Sequence, residues 1–136
     1  LYTCGDGVAP DEEQVFLNAM AGAGRFSPLA EHLIDAGSAV SGCGPAFLDL
    51  FLEALADGGV ACGLPRAQAL EFAAQMAVGA GRLVLESGSH PGALKDAVCS
   101  PGGSTIQGVR ALEAAGFRSA VMEAVIAAWE KNRALG

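Results

Sequence analysis

The chain lacks the positive charge that a nucleic-acid-binding domain needs. Of its 136 residues, 8 are Lys or Arg and 15 are Asp or Glu, which gives a formal net charge of −7. No basic stripe is present to neutralise phosphates, so the composition argues against a nucleic-acid partner. Hydrophobic residues nevertheless make up 51% of the chain, which excludes a disordered acidic tail. The length fits one domain with one core.

Cysteine and histidine are too few and too scattered for a metal or disulfide framework. The chain contains Cys4, Cys43, Cys62, Cys99, His32 and His90. No two cysteines form a CxxC pair, whereas structural zinc sites cluster their thiolate and imidazole ligands. The spacing therefore predicts four free thiols and no metal site, and makes a thiol or metal protein the weakest function class considered.

Long apolar runs and a leader are also lacking. The longest uncharged stretch, residues 36–48, contains Gly-Cys-Gly-Pro and is shorter than the roughly 20 apolar residues of a membrane-spanning helix. No basic and apolar leader opens the chain, and residue 1 is not Met. We expect a cytoplasmic protein, no membrane partner, and a chain cut from something longer.

Aromatic residues make up only 6% of the chain, whereas 19 residues are glycine and alanine is abundant. Such a chain cannot fill a core with large side chains. It must bring helix backbones close together, or bury its apolar surface against a partner.

Proline, glycine and capping residues divide the chain into about seven predicted helices, and strand patterns are nearly absent. Asp11 with its N3 partner Gln14 opens the first helix, toward Ala23. Ser27-Pro28 opens the second, toward Gly37. The later helices are predicted from Gly44-Pro45 to Gly63, Pro65 to Ser87, Pro91 to Val98, Ser104 to Ala115, and Phe117 to Leu135. The pattern predicts an all-α helical bundle.

The helical periodicity also predicts which faces are buried. In the third helix, the apolar residues Phe47, Leu50, Phe51, Ala54 and Leu55 repeat at the spacing of one buried face. Asp49, Glu53 and Asp57 fall on the opposite side, where a solvated face is expected. The fourth helix carries a stripe of small residues, Ala69, Ala73, Ala77, Ala80 or Gly81, and then Val84, which permits close helix crossing. The last helix is predicted to turn Phe117, Val121, Val125, Ala128 and Trp129 inward.

The segment Lys95–Gln107 (KDAVCSPGGSTIQ) is the strongest candidate for a site. A Pro-Gly-Gly turn leads into a predicted helix whose Ser104 and Gln107 have capping-box spacing. Backbone N–H groups and the helix dipole make such a helix start an anion site. Gly102 and Gly103 would let a ligand approach the backbone. From the residues alone, an ordinary helix corner with a normal cap is the slightly better interpretation.

The chain resembles the C-terminal domain of pyrroline-5-carboxylate reductases. The resemblance lies in Ser41-Gly42-Cys43-Gly44-Pro45-Ala46, in Glu53–Val60, in His90-Pro91-Gly92, and above all in the signature Val98–Ile106, with Leu112-Glu113 and Gly116-Phe117-Arg118 after it. It covers nearly the whole chain and is strongest from Ser41 to Arg118. The family's nucleotide-binding domain is not matched, and no glycine fingerprint for a pyrophosphate is present.

The resemblance implies an assembly and a reaction. Residues 1–10 would be the remnant of the end of a nucleotide-binding domain, and residues 11–136 a helical dimerisation and substrate-binding domain. The helical domain would intertwine with a second copy in a homodimer, with a higher ring left open. The complete enzyme would reduce 1-pyrroline-5-carboxylate to L-proline with NADPH or NADH in proline biosynthesis. This chain alone would bind neither cofactor tightly and would be inactive.

The resemblance also implies roles for residues of the signature loop. Val98, Ser100, Pro101, Gly102, Gly103, Ser104 and Thr105 would bind the substrate, with the backbone N–H groups of Gly103, Ser104 and Thr105 donating to its carboxylate. Thr105 is the expected catalytic residue, as an orienting donor or proton relay at the ring nitrogen, because a threonine hydroxyl is a weak acid. Lys95 and Asp96 are either site residues or an ordinary exposed pair. The cofactor-binding residues stay unknown. The alternative function is a stand-alone, non-catalytic helical dimerisation module that binds a small carboxylate.

Overall fold

The computed structural model describes residues 1–135, and its regular structure is helical. The elements are α1 (Pro10–Ala19), a 3₁₀ turn (Glu31–Leu33), α2 (Ile34–Ser41), α3 (Gly44–Ala61), α4 (Arg66–Ser87), α5 (Pro91–Ala97), α6 (Ser104–Ala114) and α7 (Phe117–Leu135). Within residues 1–135 the only β interaction is an isolated parallel bridge between Tyr2 and Pro28. The predicted all-α fold of about seven helices is confirmed.

The helices group into two compact units. The first contains residues 1–45 and the chain from residue 124 onwards, and the second contains residues 46–123. The division predicted at residue 10, between a nucleotide-binding remnant and a helical domain, stays a prediction.

In the first unit, Tyr2 anchors the start of the chain. Its N–H donates to the Ser27 carbonyl (3.3 Å), and its carbonyl accepts from the Leu29 N–H (2.9 Å). The Tyr2 hydroxyl donates to the Glu13 carboxylate, and this hydrogen bond is the main reason that the pKa of Tyr2 is raised to about 12. Phe16 packs against the Tyr2 ring, with centroids 5.9 Å apart. The first residues are therefore tied to α1 and to the segment before the 3₁₀ turn.

The predicted start of the second helix at Ser27-Pro28 is wrong. Those residues are extended, because their backbone pairs with Tyr2, and the helical chain begins at Glu31 instead. It also continues past Gly37 to Ser41. A side chain at Gly37 would collide with Leu1 and Leu29, so this glycine permits a close contact and does not end the helix.

The predicted cap of the first helix lies two residues too late. Ala9 is the N-cap and Pro10 occupies the first helical position. The Glu12 carboxylate accepts the Ala9 N–H at 2.9 Å. Glu12 is thus the N3 residue that caps the backbone of the N-cap, the role predicted for Gln14. The helix ends at Ala19 rather than near Ala23.

In the second unit, proline and glycine mark the helix ends as predicted. Pro65 is the N-cap of α4, and Gly63 before it has a left-handed φ of 99°. Gly88 ends α4 with a φ of 64°, as glycine does at many helix C-termini. His90 is the N-cap of α5, because its Nδ1 accepts the Gly92 N–H at 3.0 Å.

The helices bury little within one chain. Among residues 1–135 the buried hydrophobic side chains are Ala39, Ala56, Ala69 and Ala73, at 0–4% exposure. The chain exposes 9845 Å², whereas a monomeric globular protein of this mass exposes about 6,600 Å². The excess, about 3,200 Å² per chain, comes to about 6,500 Å² over two copies, which is at or above the roughly 2,000–5,000 Å² that obligate homodimer interfaces bury in total.

The predicted buried face of α3 is only partly covered. Phe51 contacts Phe117 with ring centroids 5.8 Å apart, and Phe47 is half-buried. Leu50 and Leu55, however, are 67% and 43% exposed, and Ala54 is exposed as well. The periodicity identifies a face that needs cover, and one chain does not supply all of that cover.

Helix α4 also has apolar residues that the chain leaves uncovered, and they occupy a larger part of its circumference than in α3. Its polar residues form one narrow stripe, Gln68, Glu71, Gln75, Arg82 and Glu86. Large apolar residues on both sides of that stripe are exposed, namely Leu70, Phe72, Met76, Val78, Leu83 and Leu85. The small-residue stripe packs only in its first half, since Gly79 and Gly81 have no neighbour within 4 Å of an added Cβ. A helix that is apolar over most of its circumference is typical of a buried position.

In the last helix the inward face is only partly as predicted. Val125, Ala128 and Trp129 are half-buried, but Phe117 and Val121 are 37% and 42% exposed. The Asn132 amide donates to the Asp35 carbonyl at 3.4 Å, and the Arg133 guanidinium lies 5.0 Å from the Trp129 ring centroid. The C-terminal half of α7 is thus held within the first unit.

The stretch Glu31–Ala61 is long and apolar enough, by length and composition alone, to span a membrane. The expectation that no apolar run is long enough to span a membrane is therefore wrong for this stretch, which is longer than residues 36–48 because it includes charged residues. The backbone turns at Gly42 and Cys43, between α2 and α3, and so divides this stretch into separate helices.

A charge at the exposed apolar surface of α4 tests whether a second copy covers it. Phe72 is 56% exposed in one chain and would be buried against the second copy. The substitution Phe72→Glu should therefore weaken self-association by about 2 kcal/mol or more, roughly 30-fold, because it places a carboxylate in that contact. Sedimentation equilibrium measures the change.

The matched control is Gln75→Glu, which adds the same charge on the polar stripe of the same helix and should leave association unchanged. A wild-type protein that is a stable, well-folded monomer, or a Phe72→Glu variant that associates like the wild type, would refute the role given to this surface.

Candidate functional site

The signature loop connects α5 to α6 in the second unit and is closed by two short turns. After α5 ends at Ala97, the Val98 N–H donates to the Lys95 carbonyl (3.2 Å) and the Cys99 N–H to the Asp96 carbonyl (3.0 Å). The second turn follows at once, because the Gly103 N–H donates to the Ser100 carbonyl at 3.0 Å. The loop is therefore held by its own backbone.

Both glycines of the loop are required by geometry. Gly102 has a φ of 70°, a left-handed conformation that side chains other than glycine disfavour. A Cβ on Gly103 would overlap the Ser100 hydroxyl and lie 3.2 Å from the Ser100 carbonyl oxygen. The Pro-Gly-Gly turn thus exposes bare backbone next to the start of α6, as the sequence predicts.

The start of α6 differs from the predicted capping box. Gly103 is the N-cap, with no side-chain hydrogen bond, and Ser104 is the first helical residue. The box fails because the turn at Gly102 places the cap one residue earlier, so that Ser104 and Gln107 no longer occupy the N-cap and N3 positions. No capping side chain occupies the space over the first amides of the helix.

Two of the three predicted amide donors are free. The Gly103 N–H is engaged by Ser100, but those of Ser104 and Thr105 have no hydrogen-bond acceptor in the part of the chain that the structure describes. The Ile106 N–H is equally free there, and it was missed, although the rule that the first amides of a helix lack internal partners could have identified it. Three adjacent N–H groups at the positive end of a helix can bind a carboxylate.

The structure brings the predicted substrate-binding residues together but leaves them open. Ser100, Pro101, Gly102, Ser104 and Thr105 are exposed, and Val98 is 64% exposed. Ligand sites are normally concave and bury most of the ligand. The described residues supply a platform for an anion, and the walls of a pocket must come from elsewhere.

The clearest grooves lie apart from the signature loop. One, about 560 Å³, runs along α3 and α4 and is lined by Ala46, Asp49, Leu50, Leu52, Glu53, Leu70 and Ala74. A smaller one, about 250 Å³, is lined by Leu55, Gly59, Leu64, Ala69, Phe72, Ala73 and Met76. Neither includes a loop residue, and both are lined by the exposed apolar surfaces of α3 and α4. We regard them as grooves of the surface that needs cover.

Two ion pairs stand at the edges of the loop segment. The Lys95 ammonium lies 2.6 Å from the Asp96 carboxylate, and the Arg118 guanidinium lies 2.6 Å from Glu113. The pKa of Lys95 is raised, chiefly because its ammonium donates a hydrogen bond to Asp96. Lys95 and Asp96 are therefore a bonded pair and not two independent site residues.

The described residues offer no metal or dinucleotide site. Across residues 1–135, no three His, Cys, Asp or Glu side chains converge, and Cys4, Cys43, Cys62 and Cys99 are free thiols. A dinucleotide fold places its pyrophosphate between a strand and the glycine-rich start of a helix. The single Tyr2–Pro28 bridge does not make such a strand, so these residues do not fit a nicotinamide cofactor.

Comparison with known families identifies the helical region. The family described as pyrroline-5-carboxylate reductase dimerisation matches residues 31–135. Pyrroline-5-carboxylate reductase of Escherichia coli is 49% identical over 128 residues, and the one from Arabidopsis thaliana is 45% identical over 135 residues. These alignments cover 94% and 99% of this chain but 48% and 49% of the relatives. The chain thus spans about half the length of the curated relatives it matches.

Solved structures agree with the sequence comparisons. A pyrroline-5-carboxylate reductase from Coxiella burnetii superposes with a TM-score of 0.92 at 30% identity, over 98% of this chain and 50% of that one. The Plasmodium falciparum pyrroline carboxylate reductase, solved with NADP bound, gives a TM-score of 0.87 at 36% identity, over 97% of this chain and 50% of that one. Sequence and fold point to the same family.

The left-handed turn in the loop can be tested by stability. Changing Gly102 to Ala should lower the free energy of unfolding by about 1 kcal/mol, because a Cβ is strained at this φ. Urea denaturation measures the loss.

Gly108→Ala is the control, since Gly108 lies inside α6 with nothing within 4 Å of an added Cβ. It should raise stability by roughly 0.5–1 kcal/mol through helix propensity. Equal effects of the two substitutions would show that the turn at Gly102 is not strained against side chains.

Proposed function

This chain belongs to the pyrroline-5-carboxylate reductase dimerisation family, and on that premise we propose that it binds the ring carboxylate of 1-pyrroline-5-carboxylate at the start of α6. The observation that supports this most directly is the set of free N–H groups of Ser104, Thr105 and Ile106 beside two glycines. The part of the function that the comparisons establish is coarser, namely a dimerisation domain of this family.

The chemistry of the loop suits a small ring carboxylate. An anion at a helix N-terminus gains from both the N–H donors and the helix dipole, and charge-assisted hydrogen bonds are the stronger kind. Gly102 and Gly103 place no side chain in the path of the ligand. The site consists of backbone groups within one short segment, which suits a single carboxylate group.

We assign to Thr105 the contact with the ring nitrogen of the substrate. Its N–H is one of the free donors at the start of α6, and its exposed side chain carries a hydroxyl on the same residue. A hydroxyl can donate to the ring nitrogen or relay a proton to it, and its high pKa makes it a poor general acid. Thr105 therefore orients the substrate ring while the free N–H groups hold the substrate carboxylate.

The complete protein would carry out an NAD(P)H-dependent reduction, in the cytoplasm, that ends in L-proline. The names of the relatives and a structural neighbour solved with NADP support the reductase reaction, whereas the cytoplasmic location stays a prediction from the sequence. A nicotinamide cofactor supplies hydride when bound, but the described residues do not fit it, so the contribution of this chain is to hold and orient the substrate. Self-association follows from the dimerisation family and from the uncovered apolar surface.

Titration with proline tests the carboxylate site. In the folded dimer of the isotope-labelled chain, proline should shift the amide signals of Ser104, Thr105 and Ile106, because their N–H groups donate to a new anionic partner. Prolinamide, which keeps the ring and lacks the carboxylate, is the matched control and should shift them far less. A folded dimer in which proline leaves all three amides unmoved would contradict the assignment.

The chain by itself should not oxidise NADPH in the presence of 1-pyrroline-5-carboxylate, as followed by loss of nicotinamide absorbance. The reason is that its described residues do not fit the cofactor. Clear turnover would overturn this expectation. The alternative, a non-catalytic carboxylate-binding module, predicts the same null result, and the upstream coding sequence separates the two. A strand, a GxGxxG turn and a helix encoded there support the reductase, and an unrelated upstream sequence supports the module.

A further inference from the structure

Lys95 and Asp96 end the helix that leads into the signature loop. Lys95 is the one basic residue in the last turn of α5, and its ammonium lies 2.6 Å from the Asp96 carboxylate. The carbonyls of the same two residues accept the N–H groups of Val98 and Cys99, the first bonds of the loop. The pair is thus attached to the loop through its backbone as well as adjacent to it in sequence.

The electrostatics of the loop depend on which of these two charges dominates. The loop joins the negative end of α5 to the positive end of α6. The Asp96 carboxylate is 72% exposed, whereas the Lys95 side chain is 35% exposed. An unpaired Asp96 would add a negative charge next to the first residues of the loop, and so oppose a carboxylate ligand there.

We propose that Lys95 determines the preference of the site for a carboxylate by holding and neutralising Asp96 beside the loop. This inference rests on the proposed carboxylate site and deepens it. Lys95 acts through Asp96 and the local potential, so it is a positioning residue and not a catalytic one. The geometry that supports it is the 2.6 Å contact together with the shared backbone bonds to Val98 and Cys99.

A purely structural role for the pair makes a different prediction. If the ion pair only stiffened the end of α5, removal of either partner would weaken ligand binding by a similar factor. If Lys95 acts by cancelling Asp96, removal of Lys95 weakens binding, while removal of Asp96 leaves it unchanged or strengthens it. The signs of the two single substitutions therefore separate the interpretations.

The experiment measures the dissociation constant for proline on the folded dimer of Lys95→Met, Asp96→Asn, the double variant and the wild type. We expect Lys95→Met to weaken proline binding about three- to fivefold, the size of a single charge acting near a helix end. Asp96→Asn should bind at least as tightly as the wild type, and the double variant should recover most of the loss. Prolinamide, which keeps the positive ring nitrogen and lacks the carboxylate, should lose no affinity in Lys95→Met, and added salt should shrink the Lys95→Met effect on proline.

Two controls make the result specific. Lys95→Arg keeps the charge and should bind proline like the wild type. Arg82→Met removes a matched exposed cation from the Arg82–Glu86 pair on α4 (2.9 Å), and should have no effect on proline.

The outcomes also separate this inference from the function on which it rests. Two results overturn the role of Lys95 but leave the carboxylate site standing, provided that the wild type binds proline. In the first, Lys95→Met binds proline like the wild type. In the second, Asp96→Asn weakens binding to the same degree as Lys95→Met. Wild-type protein that does not bind proline overturns the carboxylate site, and the role of Lys95 with it.

Discussion

The structure depends on one constraint, which is that a single chain cannot cover its own apolar helix surfaces. Among residues 1–135 the buried side chains are those of four alanines, and large side chains on α3, α4 and α7 stay exposed. Roughly 25 cal/mol is gained per Å² of apolar surface removed from water, so an uncovered surface of this size is a strong drive to associate. The low aromatic content and abundant alanine and glycine fit helices that share a core between copies. Stability and self-association are therefore one property in this domain.

The same constraint explains why the candidate site is open. The α5–α6 loop is held rigidly by its own backbone bonds, from Cys99 to Asp96 and from Gly103 to Ser100. Rigidity is what a carboxylate site needs, because donors held in place cost little entropy when the ligand binds. Walls are a separate requirement, and the exposed Val98 shows that the described residues do not supply them. A loop can be preorganised by local bonds alone, but a pocket needs a second surface.

Local chemistry predicted the second unit well and the first poorly. The helices from Gly44 onwards are bounded by proline, glycine or histidine at their ends, and these residues act through φ preferences and missing or added hydrogen bonds that need no tertiary context. Ser27-Pro28 failed as a helix start because the Tyr2 backbone pairs with this segment, a contact that no local pattern contains. Ser104 and Gln107 failed as a capping box for a finer reason. The spacing was present, but the left-handed Gly102 moved the cap to Gly103.

Burial was the hardest property to predict, and the reason is physical. Periodicity identifies the apolar face of a helix but not the molecule that covers it, so Leu50 and Leu55 were placed on a buried face that one chain leaves open. The site showed the opposite behaviour, since its main features are backbone N–H groups and glycines, which the sequence specifies directly through Gly102 and Gly103. What the sequence could not specify is the electrostatic balance around them. Whether Lys95 and Asp96 act as separate charges or as a pair depends on a 2.6 Å contact, and the proposed role of Lys95 rests on that contact.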